Sequence, residues 1–363
     1  MHGADHRARF FQHQLALSVV AGHLAGPELR GVLREVNASG PSTFANFLRE
    51  QKLASLWHHL VAEQDVAGET APSFLDALKQ ARLAEAALYL GQKSVLRELD
   101  GLFGSQGIVY AAMKGAHVRE LVYVDPALRS AQDIDILIGP DQREAAARAL
   151  IGAGFRLHAD ADNISHEATF TRGAIAIDLH WDILRPGRTR IEMAPSLLSR
   201  RQRVNDFWGL GDSDAVFLML VHPGFSKYVC SPSMGLISLV DFVVWLQKRH
   251  VDWDTVADRL NETGMKAAAW TALKWFAMLV KPEDLPVPAL FIAQIRPGPA
   301  RSGYLATWLE HDLPTRWFDK PVLIQLGFTL FLHDRPSDAG HAISGWIRAR
   351  RTRNADRLLP MSE

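Results

Sequence analysis

Apolar side chains recur at intervals of three, four and seven residues through the first hundred positions of the chain. Phe74, Leu78 and Ala81 belong to one such series, which Leu88 and Val95 continue. This spacing places apolar side chains on one face of an α-helix, and no alternating pattern interrupts it. The pattern predicts a helical N-terminal region.

The hydrophobic pattern changes in the middle of the chain, after Gly107. Short apolar or alternating runs that are bounded by glycine, proline or charged residues are typical of strands. Such runs occupy residues 107–113, 133–140, 155–159, 167–172 and 174–183. The last two are joined through residues 172–174, which favours a hairpin. With helices predicted over 117–124 and 140–154, this part forms a small mixed α/β unit.

Helical spacing returns after about residue 205, with large aromatic side chains that are typical of buried helices. We therefore predict an α+β fold, in which a small mixed sheet with its helices is flanked by N-terminal and C-terminal helical regions. The predicted division is a helical region over residues 1–100, a core over 101–200 and a helical domain over 201–363.

Equal numbers of positive and negative side chains make a nucleic-acid partner less favoured. The chain has 40 Lys and Arg residues and 40 Asp and Glu residues, so its formal net charge is zero. A surface built to bind nucleic acid would carry a positive excess, so nucleic acid is the less favoured partner. No apolar run reaches the roughly 18 residues of a membrane-spanning helix, and the first residues do not resemble a secretory leader. Together with a single cysteine, Cys230, these features predict a cytoplasmic protein without a membrane partner.

Two aspartates separated by one residue, Asp133 and Asp135, carry the candidate chemistry. In a strand, side chains two positions apart share one face and lie about 7 Å apart. Their like charges repel unless a cation lies between them, and Mg²⁺ prefers such oxygen ligands. Asp178 lies between apolar neighbours in a later strand, as Asp135 does. Because three carboxylates on adjacent strands are typical of two-metal phosphoryl transfer, we predict two Mg²⁺ ions, which Mn²⁺ could replace, at Asp133, Asp135 and Asp178.

Further residues are candidates for binding the phosphates of a nucleotide. Lys114-Gly115 lies where a strand passes into a helix, a turn at which phosphate can approach the backbone and a lysine can neutralise it. Arg129, four residues before the aspartate pair, supplies another cation. Lys227 would reach phosphate if the C-terminal helices closed over the nucleotide. His180 and Asp182 follow the third aspartate on the same strand face.

These motifs occur in the order MKGAHVRELVYVDPALRSAQDIDILI, then a helix, a Gly-Phe turn and IDLHWDI. This order resembles the nucleotidyltransferase-like proteins of the DNA polymerase β superfamily, in particular their uncharacterised bacterial group. The resemblance covers about residues 50–280. One departure is Ala116, since the superfamily usually has glycine or serine at this position of the turn. The matching positions are Lys114, Gly115, Arg129, Asp133, Asp135 and Asp178.

The resemblance implies a polymerase β-like nucleotidyltransferase core and a Mg²⁺-dependent reaction. A nucleoside monophosphate would pass from an NTP, such as ATP, to a hydroxyl or phosphate of an acceptor. Asp133 and Asp135 would hold the ions, and Asp178 would help to deprotonate the acceptor. Lys114 and Arg129 would stabilise charge on the phosphates. The expected acceptor is a small molecule, a peptide or a protein, as in natural-product or peptide tailoring.

Other interpretations of the same residues stay open. Asp178 could form a structural salt bridge with an arginine, and His180 could be a hydrogen-bonded neighbour of the site, because Mg²⁺ prefers oxygen ligands. Three polar residues in apolar helices, His222, Lys227 and Asp241, are typical of a satisfied buried network. The alternative functions are a catalytically silent nucleotide-binding or interaction protein, and another phosphoryl-type or glycosyl-type transfer on the same fold.

Overall fold

A seven-stranded mixed sheet forms in the middle part of the chain. The computed structural model describes residues 2–18, 26–158, 166–231 and 235–351. The strands are β1 Tyr110–Met113, β2 Asp133–Ile138, β3 Arg156–His158, β4 Glu167–Arg172, β5 Ile175–His180, β6 Gln202–Val204 and β7 Phe207–Gly209. Their order across the sheet is β3-β4-β5-β2-β1-β7-β6. β2 is parallel to β5 and β1 is parallel to β7, whereas the other neighbours are antiparallel.

The five strands predicted from the sequence are present. β4 has the predicted bounds, and the other four are shorter than predicted. β4 and β5 form the predicted hairpin, and Gly173 at its turn has a positive φ of 61°. The sequence pattern does not predict β6 and β7, which extend the sheet beyond β1. Each has three residues, which is too short for a two-residue period to be recognised.

Helices precede, interrupt and follow the sheet, so the predicted α+β fold with flanking helical regions is confirmed. Before the sheet lie α1 His2–Leu17, α2 Gly26–Ser39, α3 Pro41–Glu50, α4 Ala54–Glu63 and α5 Pro72–Ser105. Between strands lie α6 Lys114–Val122, α7 Arg143–Gly152 and α8 Ala194–Ser199. After it lie α9 Asp212–Ser226, α10 Ile237–Lys248, α11 Trp253–Thr263, α12 Lys266–Leu279, α13 Ala289–Ile295, α14 Pro299–Glu310, α15 Leu313–Arg316, α16 Pro321–Gly327 and α17 Pro336–Arg351. None of the helices in the described ranges combines the length and apolar character needed to cross a bilayer.

One buried apolar core joins the helices from the two ends of the chain. It contains Trp57 and Phe74 from the N-terminal helices, Phe217 and Trp245 from the C-terminal helices, and Met113 from β1. A second core packs the sheet against α5 and α7. α5 continues past residue 100, and β6 and β7 belong to the sheet although they follow residue 200. The division of the chain at those two positions stays a prediction.

The turn between α3 and α4 has an unusual residue at its left-handed position. Lys52 has a φ of 62°. Its backbone N donates to Arg49 O at 3.1 Å, and Leu53 N donates to Leu48 O at 2.8 Å, which together end α3 as a Schellman motif. Glycine is the usual residue at this position, because a side chain there costs about 1 kcal/mol. The lysine at this position therefore makes the fold less stable than a glycine would.

Candidate active site

Strand pairing brings two of the three predicted metal-binding carboxylates side by side. β2 and β5 are parallel, and their register places Asp135 directly opposite Asp178. Ligand atoms of Asp135, Asp178 and His180 all lie within 4.8 Å of one another. Asp133 shares the strand face of Asp135 two residues away but is not part of this closest group.

A cavity of about 420 Å³ opens in front of these carboxylates. The predicted site residues that line it are Lys114, Gly115, Arg129, Asp133, Asp135, Asp178 and Lys227. The remaining one, His180, is buried beside Asp135. A more open groove of about 550 Å³ lies near the start of α14, and Asp334 is the single carboxylate among the described residues that line it. The three predicted metal-binding aspartates therefore line the smaller cavity.

Asp135 is held as a carboxylate by two neighbours. Lys114 Nζ donates to Asp135 Oδ1 at 2.6 Å, and His180 Nε2 lies 2.9 Å from the same oxygen. Burial alone would raise the pKa of Asp135, but the Lys114 ammonium and the His180 hydrogen bond hold that pKa well below its usual range. Asp135 is therefore ionised at every physiological pH.

Asp133 and Asp178 are shifted in the opposite direction. Burial, together with the negative charge of Asp135, raises the pKa of both carboxyl groups. Thr169 Oγ1 donates to Asp178 Oδ1 at 2.7 Å, and no arginine pairs with Asp178 in the described part of the chain, so the structural salt bridge is not formed there. Oxygen ligands whose mutual repulsion is unrelieved fit a divalent cation, which would stabilise all three in their charged form.

Arg129 forms a buried ion pair with Asp241 of α10. Its Nε lies 3.1 and 3.2 Å from the two carboxylate oxygens, and its Nη2 lies 2.5 Å from Oδ2. Nη1 donates to Ser130 O at 2.7 Å, and Tyr123 Oη donates to Asp241 Oδ1 at 2.7 Å. Asp241 thus lies in a satisfied buried network. All three nitrogen atoms of Arg129 are engaged, so its contact with phosphate stays a prediction.

Gly115 makes room for this arginine. A Cβ built on Gly115 would lie 2.7 Å from Arg129 Cζ, closer still to Nη1, and 3.2 Å from Ala131 Cβ. Carbon atoms do not approach a guanidinium so closely, so any larger residue would displace Arg129. In the structure the close approach at this glycine is made by an arginine, and the predicted approach of a phosphate is untested.

Lys52 reaches the cavity from the N-terminal helical region, where the sequence shows no local sign of a site. The neighbouring Gln51 accepts a hydrogen bond from Leu236 N at 3.0 Å, which fixes the turn against the start of α10. Burial and the nearby cations Arg129 and Lys227 lower the pKa of Lys52. Lys52 is destabilising for two reasons, its positive φ and its repulsion from the nearby cations. Residues that destabilise the fold in this way are typical of functional positions.

Glu167 and His166, at the start of β4, also lie outside the site that the sequence predicts, although both line the cavity. Glu167 is paired with His180 across the hairpin. Its Oε2 lies 3.1 Å from His180 Nδ1 and 3.5 Å from His166 Nε2. The sequence contains only part of the signal for this contact. Counting outward from a turn at residues 172–174 places Glu167 opposite Leu179, whereas the turn in the structure has two residues, Gly173 and Ala174, and Glu167 is opposite His180.

The other polar residues that the sequence singles out have different surroundings. Lys227 ends α9 and lines the cavity. His222 lines it too, and burial, together with the charges of Lys114 and Lys227, lowers the pKa of this imidazole well below its usual value. Asp182 does not line the cavity, and its Oδ1 accepts a hydrogen bond from Ile183 N at 2.7 Å just beyond β5.

Comparison with known proteins identifies the family of this chain. A family model described as "Uncharacterised nucleotidyltransferase" matches residues 37–280, about two thirds of the chain. The matched part includes the whole sheet, Lys52 and α10. A search of curated proteins finds no match. The resemblance that the motifs indicate is confirmed at the level of this family.

Replacing Gly115 with alanine tests the packing of the Arg129 ion pair. We expect G115A to lower the free energy of unfolding by about 2–4 kcal/mol, because the new methyl group forces the buried guanidinium away from Asp241. Urea denaturation measures this change. The matched control is G101A in α5, where a Cβ meets nothing within 4 Å, and alanine should stabilise the exposed helix by roughly 0.5–1 kcal/mol. Equal stability of G115A and the wild type would contradict this account of the glycine.

Asp182 predicts a specific pH dependence of stability. Burial, together with the charge of Glu192, raises the pKa of Asp182 to about 6. Since an unfolded aspartate titrates near pH 4, the folded state binds more protons between about pH 4 and pH 6, and stability falls as the pH rises through that range. D182N keeps the acceptor for Ile183 N but does not titrate. Its free energy of unfolding relative to the wild type should therefore rise by roughly 1–3 kcal/mol from pH 4 to pH 7. Urea denaturation at both pH values checks this, and a pH-independent difference would refute it.

Proposed function

Because the chain belongs to the family of uncharacterised nucleotidyltransferases, we propose that it moves a nucleoside monophosphate from an NTP to an acceptor in a Mg²⁺-dependent reaction. The acceptor oxygen attacks the α-phosphorus and loses its proton, the bond from that phosphorus to the bridging oxygen breaks, and pyrophosphate leaves. The observation that carries this proposal is the pairing of Asp135 with Asp178 in one cavity that is lined by lysines and arginines.

Asp133, Asp135 and Asp178 would hold the ions. A bound Mg²⁺ supplies a Lewis acid that stabilises charge on the transferring phosphate and lowers the pKa of a coordinated hydroxyl. The support is chemical, since the donors are hard oxygen ligands and two of them are poorly stabilised as anions in this arrangement. Asp178, which also accepts a hydrogen bond from Thr169, is the candidate to help deprotonate the acceptor.

The triphosphate would be bound on the side of the cavity where Lys52, Arg129 and Lys227 come together. All three line the cavity, and the charges of Arg129 and Lys227 lower the pKa of Lys52. Lys114 is placed differently, because it is paired with Asp135. A cavity of about 420 Å³ is within the size range of nucleotide sites.

The acceptor class follows from the surroundings of the cavity. Helices from both ends of the chain border it, through Lys52 on one side and α9 and α10 on the other. Together with the zero net charge, this favours a small molecule or a segment of a peptide or protein over a long nucleic acid. We place the reaction in the cytoplasm.

The metal-dependent nucleotide site can be tested without knowing the acceptor. We expect one NTP to raise the melting temperature of the wild type only when Mg²⁺ is present, because a ligand of the folded state stabilises it by mass action, by about 2.7 kcal/mol at a hundredfold excess over Kd. D133N should lose this shift. The control is D76N on the exposed side of α5, which should keep it. A melting shift that persists in D133N, or that occurs without metal, would overturn the assignment. The absence of a shift with every NTP would favour the alternative of a catalytically silent interaction protein.

Lys52 allows a test in which stability and binding change in opposite directions. K52G should stabilise the fold by roughly 1 kcal/mol, because glycine adopts the left-handed turn without strain. K52G and K52M should both weaken NTP binding at least about tenfold, since each removes a cation from the triphosphate. Isothermal titration with Mg²⁺-NTP measures the affinity and urea denaturation measures the stability. The control is K320M at an exposed position outside the cavity, and unchanged NTP affinity in K52M would exclude the proposed contact.

A further inference from the structure

A second group of potential metal ligands lies beside the aspartates. His166 and Glu167 come from the start of β4, and His180 comes from the end of β5. One ligand atom from each of the three lies within 4.8 Å of the other two. None of the three is among the aspartates assigned to Mg²⁺.

The hydrogen bond of His180 to Asp135 determines how this histidine can act. His180 Nε2 lies 2.9 Å from Asp135 Oδ1, an oxygen that also accepts from Lys114 Nζ, so Nε2 donates its proton to this bond. In the neutral ring Nδ1 then presents its lone pair on the opposite side. A carboxylate that receives one N–H of an imidazole and orients the other nitrogen is typical of histidines that bind metals.

The lone pair of His180 Nδ1 faces another electron-rich atom. Nδ1 is fully buried and makes no hydrogen bond within the described chain, although Glu167 Oε2 lies 3.1 Å away. Either a proton or a metal ion between these two atoms relieves their repulsion, and a metal ion binds by taking the place of that proton.

Two of the three distances within the group match the edges of a tetrahedron around a small ion. Nitrogen and oxygen ligands at 2.0–2.1 Å from a tetrahedral ion lie about 3.3 Å from one another. Glu167 Oε2 lies 3.1 Å from His180 Nδ1 and 3.5 Å from His166 Nε2, on either side of that value.

We propose that His166, Glu167 and His180 bind a divalent transition-metal ion of the zinc class, at a position separate from the aspartates. Two imidazoles and one carboxylate suit such an ion, whereas Mg²⁺ prefers oxygen ligands alone. Three protein ligands leave one coordination position open, as in catalytic zinc sites. Since His166 and Glu167 line the cavity, that position faces the space proposed for the substrates. The inference goes beyond the transfer reaction and does not depend on it.

Zn²⁺ binding by the purified full-length protein tests the proposal. The protein is stripped with a chelator and titrated with Zn²⁺ against a chromophoric indicator, with Mg²⁺ in large excess to occupy the aspartates and without NTP. We expect one equivalent to bind, with affinity reduced at least about tenfold in H166A and in the isosteric variant E167Q. D76N on the exposed side of α5 should bind Zn²⁺ as the wild type does. H158A, which removes a histidine of β3 outside the group, should also leave binding unchanged.

Three results would overturn the site: no bound equivalent in the wild type, equal affinity in H166A, E167Q and the wild type, or a loss in D76N or H158A as large as that in H166A. Circular dichroism verifies that each variant is folded. Because the NTP-dependent melting shift is measured separately with Mg²⁺ alone, failure of the zinc site and failure of the nucleotide site are distinguishable.

Discussion

The position of the cavity depends on one buried ion pair, that between Arg129 and Asp241. A guanidinium withdrawn from water is tolerated only when its donors are satisfied, and here Asp241 and Ser130 O satisfy them. The pair ties the loop before β2 to α10, and the absence of a side chain at Gly115 lets it form. If this contact were lost, no ion pair would hold α10 in place relative to the Lys114-Gly115 turn and the carboxylates of the sheet.

Around this pair the sheet gives three similar carboxylates dissimilar environments. Asp135 is stabilised as an anion by a lysine and a histidine, whereas Asp133 and Asp178 are disfavoured as anions by burial and by Asp135 itself. Environments that separate the pKa values of neighbouring acids are a general means of assigning them different tasks. In this chain the difference arises from position alone, since all three residues are aspartates.

The sequence contains most of the information for the sheet and its acidic face. The two-residue period of β2 and the turn at residues 172–174 predict the strands and the hairpin. The observed register differs by one residue from that turn, because the turn consists of Gly173 and Ala174 alone. Partners that lie far apart in the chain are not predictable in this way, because no local pattern links Arg129 to α10. Lys52 is not predictable either, because its left-handed turn lacks the glycine that usually marks such a turn in a sequence. β6 and β7 are too short for a period.

The separation of 112 residues between Arg129 and Asp241 also has a consequence for biosynthesis. A chain that has left the ribosome only as far as residue 200 already contains β2, β5 and all three aspartates, but it has neither Asp241 nor β7. In such a chain the guanidinium lacks its counter-ion, and the edge of β1 is unpaired and open to association with other strands. The acidic face is therefore synthesised before the elements that enclose it, and the nascent polypeptide acquires a binding site only when α10 has emerged.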